Sequence, residues 1–182
     1  MTTMEPRVQV PAADKVAVRV VDSDVHPVPR AGVLPQYVPE PYRSKYLLSH
    51  PRGETINYDA PDYRYAMAMR VDTFPADGGF AGSDPDLAFK QLILEAGSDI
   101  GILEPGAREH YIPEVAQALS SGMNHWQDKH WLDSKNNWHE RWRGSICAAI
   151  TDPAGGAREI EEWAGHPYMA TTRTGPSMTR AG

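Results

Sequence analysis

From Ser83 onward, short apolar runs alternate with amphipathic segments, and this alternation restricts the fold more than any other feature. "SDPDLAFKQLILEAG" reads as a helix. Ser83 or Asp84 caps it, Pro85 lies in its first turn, Asp86 complements its dipole and Gly97 ends it. "SDIGIL" supplies a strand from Ile100 to Leu103. A long amphipathic segment follows from Ile112 to Leu132, where Val115, Leu119, Met123, Trp126 and His130 step by three or four. "RWRGSICAAI" reads as a strand through Ile150. "DPAGGAREIEEWAG" reads as a helix with Asp152 as cap and Pro153 at its first position, weakened at its opening by Gly155 and Gly156. Val16 to Val21 is short, β-branched and followed by turn residues, so it reads as a buried first strand. Strands alternating with helices predict an α/β fold built from parallel βαβ units.

Between the first strand and the first helix lies a stretch rich in Pro, Tyr, Gly and Arg, from Pro27 to Gly82. It shows little periodicity beyond one short helix near Pro41 to Leu48. A connection this long in a compact domain is uncommon and reads as an ordered lid or binding loop. Residues 1–15 are polar and read as a loose leader.

The chain has 182 residues, with 24 acidic against 18 basic side chains and a net charge of -6. No basic run appears, which argues against a nucleic-acid surface. No apolar stretch is long enough to span a bilayer, and the amino terminus lacks the apolar core of a signal peptide. The single Cys147 has no internal disulfide partner, which fits a cytoplasmic location.

The chemistry-bearing feature is "VVDSDVHPVP". Asp22, Asp24 and His26 occupy alternate positions where the first strand is expected to end. Parallel α/β folds gather ligands at the carboxyl ends of their strands. A carboxylate and an imidazole two residues apart aim at one side, so Asp24 and His26 form a candidate metal pair. Two side chains do not close a tetrahedral site. A tightly held ion would require further ligands, from Glu104 after the second strand or from a second subunit. No catalytic residue or organic cofactor site is legible.

These residues, with "LPQYVPEPYR", the Asn-x-Trp and Trp-Leu-Asp of the long helix, and the Arg-Gly-Ser-Ile that opens the third strand, resemble the amidohydrolase-related family. These are metal-dependent barrel enzymes, including the aminocarboxymuconate semialdehyde decarboxylase-like branch. The likeness runs from about Val20 to Pro167. It implies a (β/α)8 barrel, a mononuclear divalent metal (zinc first) and hydrolysis or decarboxylation of a small organic substrate. With charge and hydropathy arguing against nucleic-acid and membrane partners, the expected partner is a small-molecule substrate, with room for a homo-oligomer. Where the family carries His-x-His after strand one, this chain has Asp24 and His26. A whole barrel needs eight strands and about 250 residues. Residues 16–167 are therefore expected to be a partial TIM barrel, its first three to four βα units, in which the metal binds weakly or not at all. The alternative is a non-catalytic truncated chain, inactive or paired with another chain. "YMATTRTGPSMTRAG" lacks the apolar run of a barrel strand. Residues 168–182 are expected to form a disordered tail with no more than a stub of strand four, leaving Ile146 and Ile150 exposed.

Other residues read as structural. His125 and His130 are five apart, which on a helix separates them by roughly 140°, too far to share a metal. Four of the five tryptophans fall between Trp126 and Trp142 and read as core or subunit contact. Cys147 reads as inert packing. Arg64 and Arg70 read as solvated loop cations rather than a clamp for a substrate carboxylate.

Overall fold

The computed structural model describes residues 18–48, 69–106 and 110–175. The leader, residues 49–68 of the long loop, Arg64 among them, and the end of the tail lie outside them. Four strands form one sheet in chain order: β1 (Val21–Val25), β2 (Ile100–Leu103), β3 (Trp142–Cys147) and β4 (Met169–Arg173). Every neighbouring pair is parallel. The helices between them are α1 (Pro85–Ala88), which continues as a π-helical segment over Phe89–Glu95, α2 (Pro113–Gln127), with a π-helical end over Asp128–Leu132, and α3 (Pro153–Trp163). This is the expected α/β order. Among the described residues no helix is long and apolar enough to cross a membrane.

The caps sit where their residue types require. Asp84 accepts from the N–H groups of Asp86 and Leu87 at 3.0 Å each, and Asp152 accepts from Gly155 at 3.0 Å. Each satisfies donors that the first helical turn leaves without a partner. Pro85, Pro113 and Pro153 all occupy first turns, where a missing N–H costs nothing. Gly155 and Gly156 are buried, and a Cβ on Gly156 would stand 2.9 Å from the Ala149 carbonyl. The second glycine lets α3 press against the end of the β3 segment, a packing role that helix propensity alone does not reveal.

The core lies between the sheet and α2. It holds Val25, Leu103, Val115, Leu119, Met123, Trp126, Trp131, Leu132 and Trp142, joined by Leu34 and Val38 from the long loop. Trp126, Trp131 and Trp142 are buried as expected, whereas Trp138 is 67% exposed. The loop is therefore partly structural: Leu34–Tyr37 forms a 3-10 turn and Arg43–Leu48 a helical turn.

Three expectations need correction. β1 begins at Val21 rather than ending there, because Val18, Val20 and Val21 are exposed and the chain pairs with β2 only from Val21. Met169–Arg173 is a five-residue strand rather than a stub. Its inner side is anchored: Gly144 donates to the Tyr168 carbonyl at 2.8 Å and Ala148 to the Arg173 carbonyl at 2.9 Å. As the outermost described strand, β4 keeps its polar threonines in solvent, so the desolvation cost expected for a central strand does not arise. Ile146, paired with Thr172 of β4, is 5% exposed instead of open, while Ile150, past the end of β3, is 36% exposed.

Candidate functional site

The site begins with an irregularity in β1. Asp22 pairs with Gly101 and Val25 with Leu103, so three steps on β1 run against two on β2. This bulge is supported locally, since the Asp22 carboxylate accepts from the Asp24 N–H at 3.1 Å. Bulges re-aim side chains. Val25 turns back into the core at 6% exposure, while the Asp24 and His26 side chains are 79% and 56% exposed.

Asp24 and His26 are brought together as the sequence pattern predicts, with His26 Nε2 3.0 Å from Asp24 Oδ1. Asp24, however, lies within the strand rather than beyond its end. The other ring nitrogen, His26 Nδ1, lies 3.0 Å from the Glu104 main-chain carbonyl. Glu104 in turn donates its N–H to the Val25 carbonyl at 2.6 Å. A carbonyl only accepts, so Nδ1 carries the hydrogen and the ring is fixed with Nε2 toward the carboxylate.

Glu104 extends this contact across the sheet. Its Oε1 accepts from the Ser145 hydroxyl at 2.7 Å and its Oε2 from Arg173 Nη1 at 2.5 Å. One row of polar contacts therefore crosses all four strands: Asp24 against His26, then the hydrogen-bonded run of His26, Glu104, Ser145 and Arg173. Glu104, considered above as a further metal ligand, has both carboxylate oxygens engaged. Among the described residues no group of three His, Cys, Asp or Glu side chains is arranged to hold a metal ion.

The row rests on a buried polar layer. Past Leu103 the chain reaches Pro105, which has no N–H to offer β3. Side chains of α2 take the edge instead: Gln127 donates to the Ser145 carbonyl at 2.7 Å, and Asn124 donates to the Cys147 carbonyl at 2.9 Å and accepts from its N–H at 2.7 Å. Asn124 also donates to Glu159, whose carboxylate is 3% exposed and accepts further from Gln117 and Trp163. The Asn124 amide and the Glu159 carboxylate thus find partners that offset their desolvation, while the amide oxygens of Gln117 and Gln127 are buried without one.

Gly82 closes the loop side. Its φ is 81°, and a Cβ there would stand 2.2 Å from the His26 carbonyl. The Val28 N–H donates to the Gly82 carbonyl at 2.9 Å and ties the two ends of the long loop together. Beside it lies a mostly apolar cavity of about 280 Å³ lined by Val25, His26, Thr73, Leu87, Leu92 and Trp131.

The remaining candidates stand elsewhere. His125 meets Trp163 edge-on at 5.1 Å. His130 is hydrogen-bonded to the Tyr37 hydroxyl at 3.0 Å, and burial pushes its imidazole below its ordinary value. Arg70 pairs with Asp72. Cys147 is buried. Ser145, Arg173, Asn124, Gln127 and Glu159 escaped the sequence reading. Ser145 and Arg173 could have been found by asking which polar residues end the other strands. The three α2 and α3 residues carry no such signal, since polar residues on a helix read as its solvent face. No protein-family model and no curated protein matches the chain.

Proposed function

We propose that these βα units are the amino-terminal part of a (β/α)8 barrel of the amidohydrolase-related type. In this reading Asp24 and His26 hold a divalent metal, zinc first, for hydrolysis or decarboxylation of a small organic substrate. The reading rests on the sequence resemblance and on one geometric observation. His26 Nε2 faces Asp24 Oδ1 at 3.0 Å while Nδ1 is committed to a main-chain carbonyl. Metal-binding histidines characteristically donate their second ring N–H in this way. The imidazole nitrogen and carboxylate oxygen suit zinc in type, and a cation between them relieves the opposition of their lone pairs.

A metal held there supplies Lewis acidity or a water acidified toward neutrality. The chain's own residues do the positioning. The Glu104 carbonyl holds the His26 tautomer, and Ser145 and Arg173 hold Glu104. The exposed Asp24 carboxylate is free to adjust to a ligand. As a pair, Asp24 and His26 bind weakly. In a zinc titration followed by imidazole NMR, His26 Nε2 shows saturable perturbation that Asp24→Asn removes. Zinc that leaves the His26 resonances unmoved, or that moves them equally in Asp24→Asn, overturns the assignment.

The second reading is a non-catalytic chain that pairs through its sheet with a second copy. Exposed Val18, Val20 and Val21 along the β1 side favour it. Light scattering distinguishes the two, since this reading requires a dimer that polar substitution of these valines dissociates.

A further inference from the structure

We propose a second binding site, for a small oxyanion carried as a phosphate group, at the opposite end of the strands from Asp24 and His26. It is a cavity of about 410 Å³ lined by Arg19, Asp99, Ile100, His139, Glu140, Arg141 and Arg143. Three arginines line it, Arg19 from ahead of β1 and Arg141 and Arg143 from the start of the β3 segment. Arg141 immediately precedes β3 and Arg143 is its second residue, so the two stand two residues apart where the strand begins. Val21 pairs with Ile100 and Ile102 with Arg143, which brings Arg19, two residues before Val21, to the same end of the sheet.

Arg141 and Arg143 are held in place chiefly by main-chain carbonyls, with one long ion pair between Arg141 and Asp99 at 3.7 Å. Arg143 Nη1 donates to the main-chain carbonyls of Glu140 at 3.0 Å and Trp142 at 2.8 Å, and its guanidinium lies 5.4 Å from the Tyr168 ring centre. Arg141 Nη1 donates to the Asp99 carbonyl at 2.9 Å. The nearest Asp99 carboxylate oxygen stands 3.7 Å from Arg141, and the other accepts from the Val20 N–H at 2.9 Å. The Glu140 carboxylate accepts from the Tyr168 hydroxyl. Among the described residues no carboxylate is within hydrogen-bond distance of Arg19, Arg141 or Arg143. Glu140 itself has φ 55°, uncommon for a residue with a side chain, at the turn that supplies the carbonyl to Arg143. Carbonyl-anchored guanidinium groups with unspent N–H donors are the arrangement that reads a tetrahedral oxyanion by paired hydrogen bonds. With a net charge of -6, the chain offers this as a local pocket rather than a face for a polyanion.

The test is a titration of the full chain with inorganic phosphate at constant ionic strength, balanced with chloride and read from the arginine side-chain N–H resonances. Arg141 and Arg143 signals shift saturably. Arg143→Gln weakens the affinity roughly tenfold, as loss of a charge-assisted hydrogen bond implies. Arg19→Gln, at an exposed position ahead of β1, weakens it with the melting temperature unchanged, which separates lost binding from lost folding. His26→Gln leaves the affinity as it was. Shifts that chloride reproduces at matched ionic strength, or an affinity that neither arginine substitution alters, overturn the proposal.

Discussion

The Asn124 side-chain amide binds both main-chain groups of Cys147, accepting from its N–H at 2.7 Å and donating to its carbonyl at 2.9 Å. A helix side chain thereby stands in for a missing strand. Asn124→Ala leaves two buried main-chain groups and one carboxylate short of a partner. It is expected to destabilise the fold by about 2–4 kcal/mol, the range for a buried polar group stripped of its partners. Asn124→Asp retains the acceptor but sets a carboxylate against Glu159, and is expected to cost more than alanine. Urea unfolding of both variants checks the order.

Gly82 and Gly78 both adopt left-handed backbone, with φ of 81° and 98°, but differ in surroundings. A Cβ at 78 meets nothing within 4 Å, whereas one at 82 meets the His26 carbonyl at 2.2 Å. Gly78→Ala is expected to cost about 1 kcal/mol, from backbone conformation alone. Gly82→Ala adds a main-chain clash, worth a further 1–3 kcal/mol or about that, and displaces His26. Thermal melts of the pair, with the His26 resonances as a local reporter, check the prediction. Equal losses would show that the close approach is not tight.

His130 gives a pH dependence. Burial lowers its affinity for a proton below the ordinary value of 6.5, with Asp133 opposing and Lys129 assisting. The unfolded chain therefore binds more protons than the folded one as pH falls below 6.5, and stability falls with it. Above that value this contribution is constant. His130→Gln is expected to make the melting temperature fall less steeply on acidification. His110 and His139 are lowered by burial as well, so a residual slope remains. An unchanged slope would mean that His130 titrates alike in both states.

Glu104→Gln tests the row across the strand ends. The amide oxygen still accepts from Ser145, but the ion pair with Arg173 is lost. β4 has one described neighbour, so the loss falls mainly on it. The Ala148 amide, which donates to the Arg173 carbonyl, should exchange roughly tenfold faster with solvent, as for the loss of one charge-assisted bond, while β2 amides hold. Uniform acceleration in all strands would place Glu104 in global stability instead.

The regular half of the molecule was legible because its signals are local. The caps at Asp84 and Asp152, Gly97 at the end of the first helix, and the second strand from Ile100 to Leu103 all stand where spacing put them. β1 slipped because exposed valines and a bulge are set by pairing with β2, and pairing has no signature in the strand's own residues. β4 has no apolar signature because its middle residues are exposed, so it does not need the apolar run of a strand covered on both faces. The pairing of Asp24 with His26 followed from alternation. The partners that orient it, the Glu104 carbonyl foremost, come from another strand and are main-chain groups that any residue supplies.

The order of the strands in the sheet is the order of synthesis. As the chain leaves the ribosome, each new strand finds the one it pairs with already made, and no strand must wait for a later one to separate it from a wrong neighbour. Closing distances stay within one βα unit after the long loop is passed, which keeps the entropic cost of each docking step small. The loop is the exception: β1 must stand with its edge open until β2 and α1 arrive. Assembly of these units can proceed during translation in steps, with the slowest step set by the passage from Val25 to Ile100.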